Sequence, residues 1–237
     1  MHDNLHEVLN LKNVTTDSAD LYIHGNIVSS WWGAWDDADQ YPSKIKNFLD
    51  RAKGKKLNVY LNSGGGALFA GMAIYNMIKR HDAETTTYID GIAGSIASVI
   101  ALASDKVIMP SNATFFVHKP LVQRMSGNAD ALRKCADQLD VLQQGLMSVY
   151  AENLADGAKI EDVEALVNKE SYLTAEETAK YFNIEIAEPK NNLKYVASMF
   201  DNVEDLPEFI KSNLENKLEL KKAQAQLNLL KLQGEQR

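Results

Sequence analysis

The chain has 237 residues, 45% hydrophobic and 24% charged, the ordinary balance of a soluble globular protein with one sizeable core. Its formal net charge of -7 argues against nucleic acid or an anionic membrane as a partner, because both call for a basic surface. A single cysteine, Cys135, allows no intramolecular disulfide, and the histidines at 2, 6, 24, 81 and 118 lack zinc-ligand spacing, so no metal site is expected.

The opening "MHDNLHEVLN" is polar and acidic and does not read as a signal peptide. "DLYIHGNIV" (20–28) alternates and is β-rich, which predicts a strand ending near Gly25. "SSWWGAWDDADQYPSKIKNFLDRAKG" begins as a loop and becomes a helix, with Ile45, Phe48 and Leu49 on its apolar stripe and Gly54 past its end. Trp31, Trp32 and Trp35 are expected in the core or at a subunit interface. "KLNVYLN" (56–62) predicts a second strand, "SGGG" (63–66) a turn, and "ALFAGMAIYNMIKRH" (67–81) an amphipathic helix with basic residues in its last turn. "ETTTYID" (84–90) predicts a third strand, followed by a turn over Gly91–Gly94 and a small-residue helix. The apolar run 92–103 contains Gly and Ser and is too short to span a bilayer.

Two more strands are expected at 105–110 and 113–118, a long helix at about 128–155 and a shorter one at 160–167. In "TAEETAKYF" (174–182), Thr174 with Glu177 three residues on predicts a helix opened by a capping box. Strands alternating with helices give an α/β core with a mostly parallel sheet, whose working groups lie at the carboxyl ends of strands. The organisation expected is an N-terminal segment (1–19), a core domain (20–189) and a helical tail (190–237) with nearly balanced charge.

Two strand ends carry glycines. "SGGG" lacks the lysine of a phosphate-binding loop and does not fit a dinucleotide fingerprint, so a nucleotide reading is weak. Three bare residues in a row suit a close backbone approach, and their N–H groups could form an oxyanion hole. Ser95 follows Gly94 at the start of the apolar helix. A nucleophile belongs at such a perch, although an N-cap serine would sit there too. Ser98 lies one turn further in, where its hydroxyl is expected to bond the helix backbone. His118 ends a core strand, and a glycine turn, a serine turn and a strand-end histidine together match an acyl-transfer site.

These segments resemble the proteolytic subunit of the Clp protease family. "LNSGGGALFAGMAIYNMI" is similar to its glycine-rich segment, "DGIAGSIASVIALAS" to the segment around its nucleophile, "IMPSNATFFVHKP" to that around its base, and "ESYLTAEETAKYFNI" to that holding its acid. The resemblance spans about 20–188. The "WWGAW" loop is similar to phage and prophage members that act as head-maturation (prohead) proteases. The resemblance implies a Clp/crotonase-like spiral β-superhelix of repeated ββα units, with a long handle helix and the C-terminal helical extension.

By position it implies Ser95 as nucleophile, His118 as general base and Glu170 where the family has aspartate. The backbone N–H groups of Gly66 and Ile96 become oxyanion donors. Substrate would add as a β-strand along Gly65, Ala67 and Leu68, and along a short strand in "LVQRMSGNAD". Glu170 is one methylene longer than aspartate; Asp162 or a Ser–His dyad are the alternatives. Gly64 replaces a proline and should loosen the turn. No cofactor is implied.

The implied activity is that of a serine endopeptidase in a host cytoplasm or phage prohead, acting on polypeptide, with a capsid or scaffold protein as the candidate substrate. It also implies a homo-oligomeric ring, stacked in pairs through the long helix, and a separate AAA+ unfoldase as partner; Leu132, Leu139, Leu142, Leu146 and Val149 fit such a helix interface and equally fit a buried intramolecular face. The rival readings are a crotonase-fold acyl-CoA enzyme and a non-catalytic capsid assembly module.

Overall fold

The computed structural model describes residues 14–34, 36 and 38–187. The helical tail, Trp35 and the first thirteen residues lie outside the described residues. Seven strands form one sheet: β1 (Ser18–His24), β2 (Lys56–Ser63), β3 (Thr85–Gly94), β4 (Lys106–Pro110), β5 (Thr114–Val117), β6 (Ser171–Leu173) and β7 (Glu185–Ala187). The spatial order is β1-β2-β3-β4-β7, with β5 also on β3 and β6 on β5. Every strand pairing is parallel except β5 with β6. This is the mixed α/β, parallel-dominated architecture that alternating strands and helices predict.

The strands alternate as the sequence does. Ala19, Leu21 and Ile23 of β1 and Leu57, Val59 and Leu61 of β2 point into the core. The other face carries Tyr22, Tyr60 and Tyr88, in register across β1, β2 and β3 and stacked at 4.8 and 5.2 Å. Among the described residues six α-helices accompany the sheet: α1 (Pro42–Arg51), α2 (Leu68–Lys79), α3 (Ile96–Ala101), α4 (Ala129–Glu152), α5 (Ile160–Asn168) and α6 (Ala175–Tyr181). Ile45 and Phe48 of α1 and Ala70, Ile74 and Ile78 of α2 fill the core, and α3 is buried on all sides. The capping box at α6 forms: Thr174 Oγ1 accepts from Glu177 N at 3.2 Å, and Glu177 Oε2 accepts from Thr174 N at 2.9 Å.

The first strand ends where expected: it stops at His24, because Gly25 takes φ 83° and turns the chain, and Ile27 beyond it makes single bridges to Gln40 and Gly66. Two expectations need correction. The third strand does not end at Asp90 with a turn over Gly91–Gly94. It runs through Gly94, pairing with β4 over Thr86–Tyr88 and with β5 over Ile92–Gly94. Neither glycine has a positive φ; each leaves room instead. A Cβ on Gly91 would lie 2.7 Å from Asn62 Oδ1, and one on Gly94 would lie 3.2 Å from Gly64 O. Lastly, "LVQRMSGNAD" holds no strand. The whole stretch 121–128 is exposed, and no strand of the described residues pairs with it.

Candidate active site

The turn that the sequence assigns to glycine is made by Ser95 itself. Its backbone sits at φ 55°, ψ -129°, a region that costs a non-glycine residue about 1–3 kcal/mol and persists only where the surroundings impose it. β5 imposes it on one side, where Ser95 N donates to Phe116 O at 2.9 Å. On the other side α3 is anchored by Ile96, whose side chain fills the space beside Gly71. A Cβ on Gly71 would lie 2.1 Å from Ile96 Cγ1.

This geometry is not that of a capping serine at a helix start. A capping serine has extended backbone, and its hydroxyl accepts a bond from the first turn. Ser95 has neither property: its side chain makes no capping bond. Its Oγ lies 2.6 Å from His118 Nε2 instead. His118 follows directly on β5, and that strand's pairing with Ile92–Gly94 sets its imidazole beside Ser95. The imidazole stacks on Phe116 (centroids 5.1 Å apart, 14° between planes), and Phe116 stacks on Tyr172 of β6 at 4.1 Å. The imidazole is therefore held by an aromatic column as well as by its hydrogen bond.

The glycine turn packs against the same corner. Gly65 (φ 100°) and Gly66 (φ 144°) both require glycine backbone. A Cβ on Gly65 would lie 2.7 Å from Ser95 Cβ and from Gly94 O, and one on Gly66 would lie 2.1 Å from Ile27 O. Ile27 fixes the strip by accepting from Ala67 N at 2.7 Å and donating to Gly65 O at 2.8 Å. Gly65 N donates to Ser63 Oγ at 3.1 Å. Gly65 and Ala67 thus use these backbone groups within the fold. Gly66, the first residue of α2 (Leu68) and the first residue of α3 (Ile96) keep N–H groups without acceptors among the described residues. The two proposed oxyanion donors, Gly66 and Ile96, are both free.

A cleft of about 500 Å³ opens over this corner, lined by Leu68, Phe116, Leu121, Leu142 and Leu146 among others. A larger cavity of about 1030 Å³, beside β1 and α1, holds no nucleophile–base pair and lies apart from this chemistry. Among the described residues no cluster of His, Cys, Asp and Glu could hold a metal ion, and no helix is long and apolar enough to cross a membrane.

The third position is built differently. The antiparallel register pairs Val117 with Ser171, and one further step sets Glu170 opposite His118. Glu170 follows α5 at φ 52°, and it is exposed. No hydrogen bond joins its carboxylate to His118 among the described residues, so the backbone approaches while the carboxylate stays apart. Asp162 lies in the exposed first turn of α5 and has no bond to His118 either.

Sequence reasoning missed three contributors: Ile27, the Phe116–Tyr172 column, and a hydrogen bond of 2.7 Å between Ser98 Oγ and Tyr150 Oη. The bridge made by Ile27 and the 52-residue separation of Ser98 from Tyr150 have no local signature. Phe116 could have been found from its place two residues before His118, which puts both side chains on one face of an extended segment.

The Clp protease family model matches residues 35–185. The chain belongs to the Clp protease family. A Porphyromonas gingivalis protein named ATP-dependent Clp protease proteolytic subunit is 30% identical over 148 residues, covering 61% of this chain and 65% of the relative. ATP-dependent Clp protease proteolytic subunit 1 of Protochlamydia amoebophila is 27% identical over 131 residues, covering 54% of this chain and 63% of that protein. A Streptococcus pneumoniae proteolytic subunit is 30% identical over 150 residues, covering 62% and 76%. The chain spans just under two thirds of the length of the first two relatives. The matched span of the Clp protease family holds Ser95, His118, Glu170, Gly66 and Ile96.

Proposed function

We propose that this chain is a serine endopeptidase in which Ser95 is the nucleophile and His118 the general base. The observation that carries the reading is the 2.6 Å contact between Ser95 Oγ and His118 Nε2, made by a serine held at φ 55°. Ser95 Oγ attacks the scissile carbonyl while His118 takes its proton. The N–H groups of Gly66 and Ile96 receive the oxyanion, where donors fixed in advance are most effective. His118 then protonates the departing amine and afterwards activates the water that hydrolyses the acyl-enzyme. Glu170 orients the imidazole through Nδ1 once its carboxylate swings toward the ring. Substrate lies as a strand against Gly66 and Leu68, whose N–H groups face away from Ile27.

The chain acts as a homo-oligomeric ring. What supports this is α4: no residue is buried from Ala129 to Gly145, although Leu132 and Val141 lie on that stretch, and Val141 is 64% exposed. A helix with no packed face is marginal on its own, so another copy is the natural cover. The relatives named ATP-dependent suggest a separate unfoldase as partner. The sharper biological reading, a prohead protease acting on capsid or scaffold protein, rests on the "WWGAW" loop, in which Trp31 and Trp32 stack at 4.2 Å and stand exposed.

A fluorophosphonate probe tests the chemistry. Wild type should be labelled, and Ser95→Ala and His118→Ala should not. An unlabelled wild type, or a labelled Ser95→Ala, would sink the reading. Cleavage of a co-expressed capsid protein by wild type, but not by Ser95→Ala, tests the prohead role.

A further inference from the structure

The oxyanion donor Ile96 N–H shares a peptide unit with the Ser95 carbonyl. A peptide unit is planar and trans, so its N–H and C=O point in opposite directions, and fixing one fixes the other. The Ser95 carbonyl is held by two donors. Ser98 N reaches it at 3.0 Å and Ser98 Oγ at 2.5 Å.

Ser98 Oγ also lies 2.7 Å from Tyr150 Oη. A carbonyl only accepts, so the single Ser98 proton goes to Ser95 O. The Tyr150 hydroxyl must then donate to Ser98 Oγ, and the direction of the chain is fixed. Both residues are buried, Ser98 fully and Tyr150 to within 2%. Burial pushes the Tyr150 hydroxyl up to about 12 against a smaller opposing effect of Ser98, so it keeps its proton at neutral pH. Tyr150 sits in the last turn of α4, with its ring against Phe182 at 5.4 Å.

We propose that Ser98 and Tyr150 are positioning residues for the oxyanion hole. The relay Tyr150 O–H to Ser98 O–H to Ser95 C=O locks the strained Ser95–Ile96 peptide, so that Ile96 N–H aims at the oxyanion. Hydrogen bonds that feed a carbonyl also polarise its peptide, which makes the N–H at the other end a stronger donor. Tyr150 lines the floor of the cleft but is only 2% exposed, so the relay acts chiefly through Ser95 and Ile96. It rests on the reading of Ser95 as nucleophile.

The test uses the full chain as wild type, Ser98→Ala, Tyr150→Phe and the double variant. Each is assayed for fluorophosphonate labelling rate, for kcat and KM on a peptide substrate, and for affinity toward a peptide aldehyde, whose adduct with Ser95 places an oxygen in the hole. Removing a whole oxyanion donor costs about 10²–10³-fold in kcat, so misaiming one should cost roughly 10-fold in Ser98→Ala and less in Tyr150→Phe. KM should stay within about twofold, aldehyde affinity should fall by the same factor as kcat, and the double variant should be no worse than Ser98→Ala alone. Wild-type kcat and aldehyde affinity in the variants, or a loss confined to KM, would overturn the relay. If Ser98→Ala does not fold, Tyr150→Phe carries the same test, since it removes only a hydroxyl. An unlabelled wild type would instead defeat the protease reading itself.

Discussion

The nucleophile corner and the acid corner of this site are built to different standards. Ser95, His118, Gly65 and Gly66 are fixed by backbone bonds from β5 and Ile27 and by contacts that leave no room for a Cβ. Glu170 stands exposed at φ 52°, with its backbone opposite His118 and its carboxylate unattached. The Ser95 corner is thus organised by the packing of one chain. The Glu170 carboxylate has no such anchor among the described residues. A Ser–His pair supplies proton transfer by itself; the third group mainly fixes the tautomer and stabilises the imidazolium.

The largest effect expected from breaking the well-built corner, short of removing the nucleophile or base, comes from Gly66→Ala. Its Cβ would fall 2.1 Å from Ile27 O, on a backbone at φ 144° that alanine avoids. The strip must shift, taking an oxyanion donor with it. Peptidase activity should fall by about 10²–10³-fold, with KM raised as well, because the substrate strand pairs to the same residues. The kinetic constants check this. Near-normal activity would mean that Gly66 is glycine for folding alone.

The acid corner should answer more mildly. Glu170→Gln is expected to lower kcat by roughly 10–100-fold, below the cost of removing the nucleophile or base, and Asp162→Asn should stay within about twofold. Equal losses in the two variants would point to α5 as a whole and not to Glu170. A Glu170→Gln protein with full activity would establish a dyad, with the base oriented by its aromatic column alone. That column gives the next test. Phe116→Leu keeps an apolar side chain and removes the stack on His118 and Tyr172. The aromatic contribution is worth about 1 kcal/mol, so kcat should drop about 5-fold, and the loss should deepen in a Glu170→Gln background.

The same contrast explains what could be read in advance. Ser95 and His118 stand next to strong local signals, a glycine-bounded strand end and a β-rich run, and the structure joins them. The capping box at Thr174 and Glu177 was legible because it is a contact three residues apart. The end of β3 is hidden in the sequence because Gly91 and Gly94 look like turn residues there, whereas their role is close approach to Asn62 and Gly64 from neighbouring segments. The resemblance implies a short strand in "LVQRMSGNAD", but a strand needs a partner, and none of the described residues pairs with that stretch. Ile27 and Tyr150 act through contacts remote in sequence, and no periodicity announces them.

Beneath Ser95, the last effect appears in stability and not in rate. Tyr150 holds its proton to about 12 in the folded protein, against 10 for an exposed tyrosine, with burial as the main cause. Between those values the folded state binds more protons than the unfolded chain, so stability falls as pH rises. The contribution is complete below pH 10 and is lost on the way to pH 12; two units correspond to about 3 kcal/mol. Tyr60 is also raised to about 12 and remains in every variant, so the informative quantity is a difference between proteins. Tyr150→Phe should be less stable than wild type at pH 8, by about 1 kcal/mol for the lost hydrogen bond. The gap should close and then reverse above pH 10, because phenylalanine has no proton to lose. Denaturant midpoints measured from pH 8 to 12 check the crossing. Parallel curves would show that Tyr150 reaches water and ionises freely, which is incompatible with a sealed relay under Ser95.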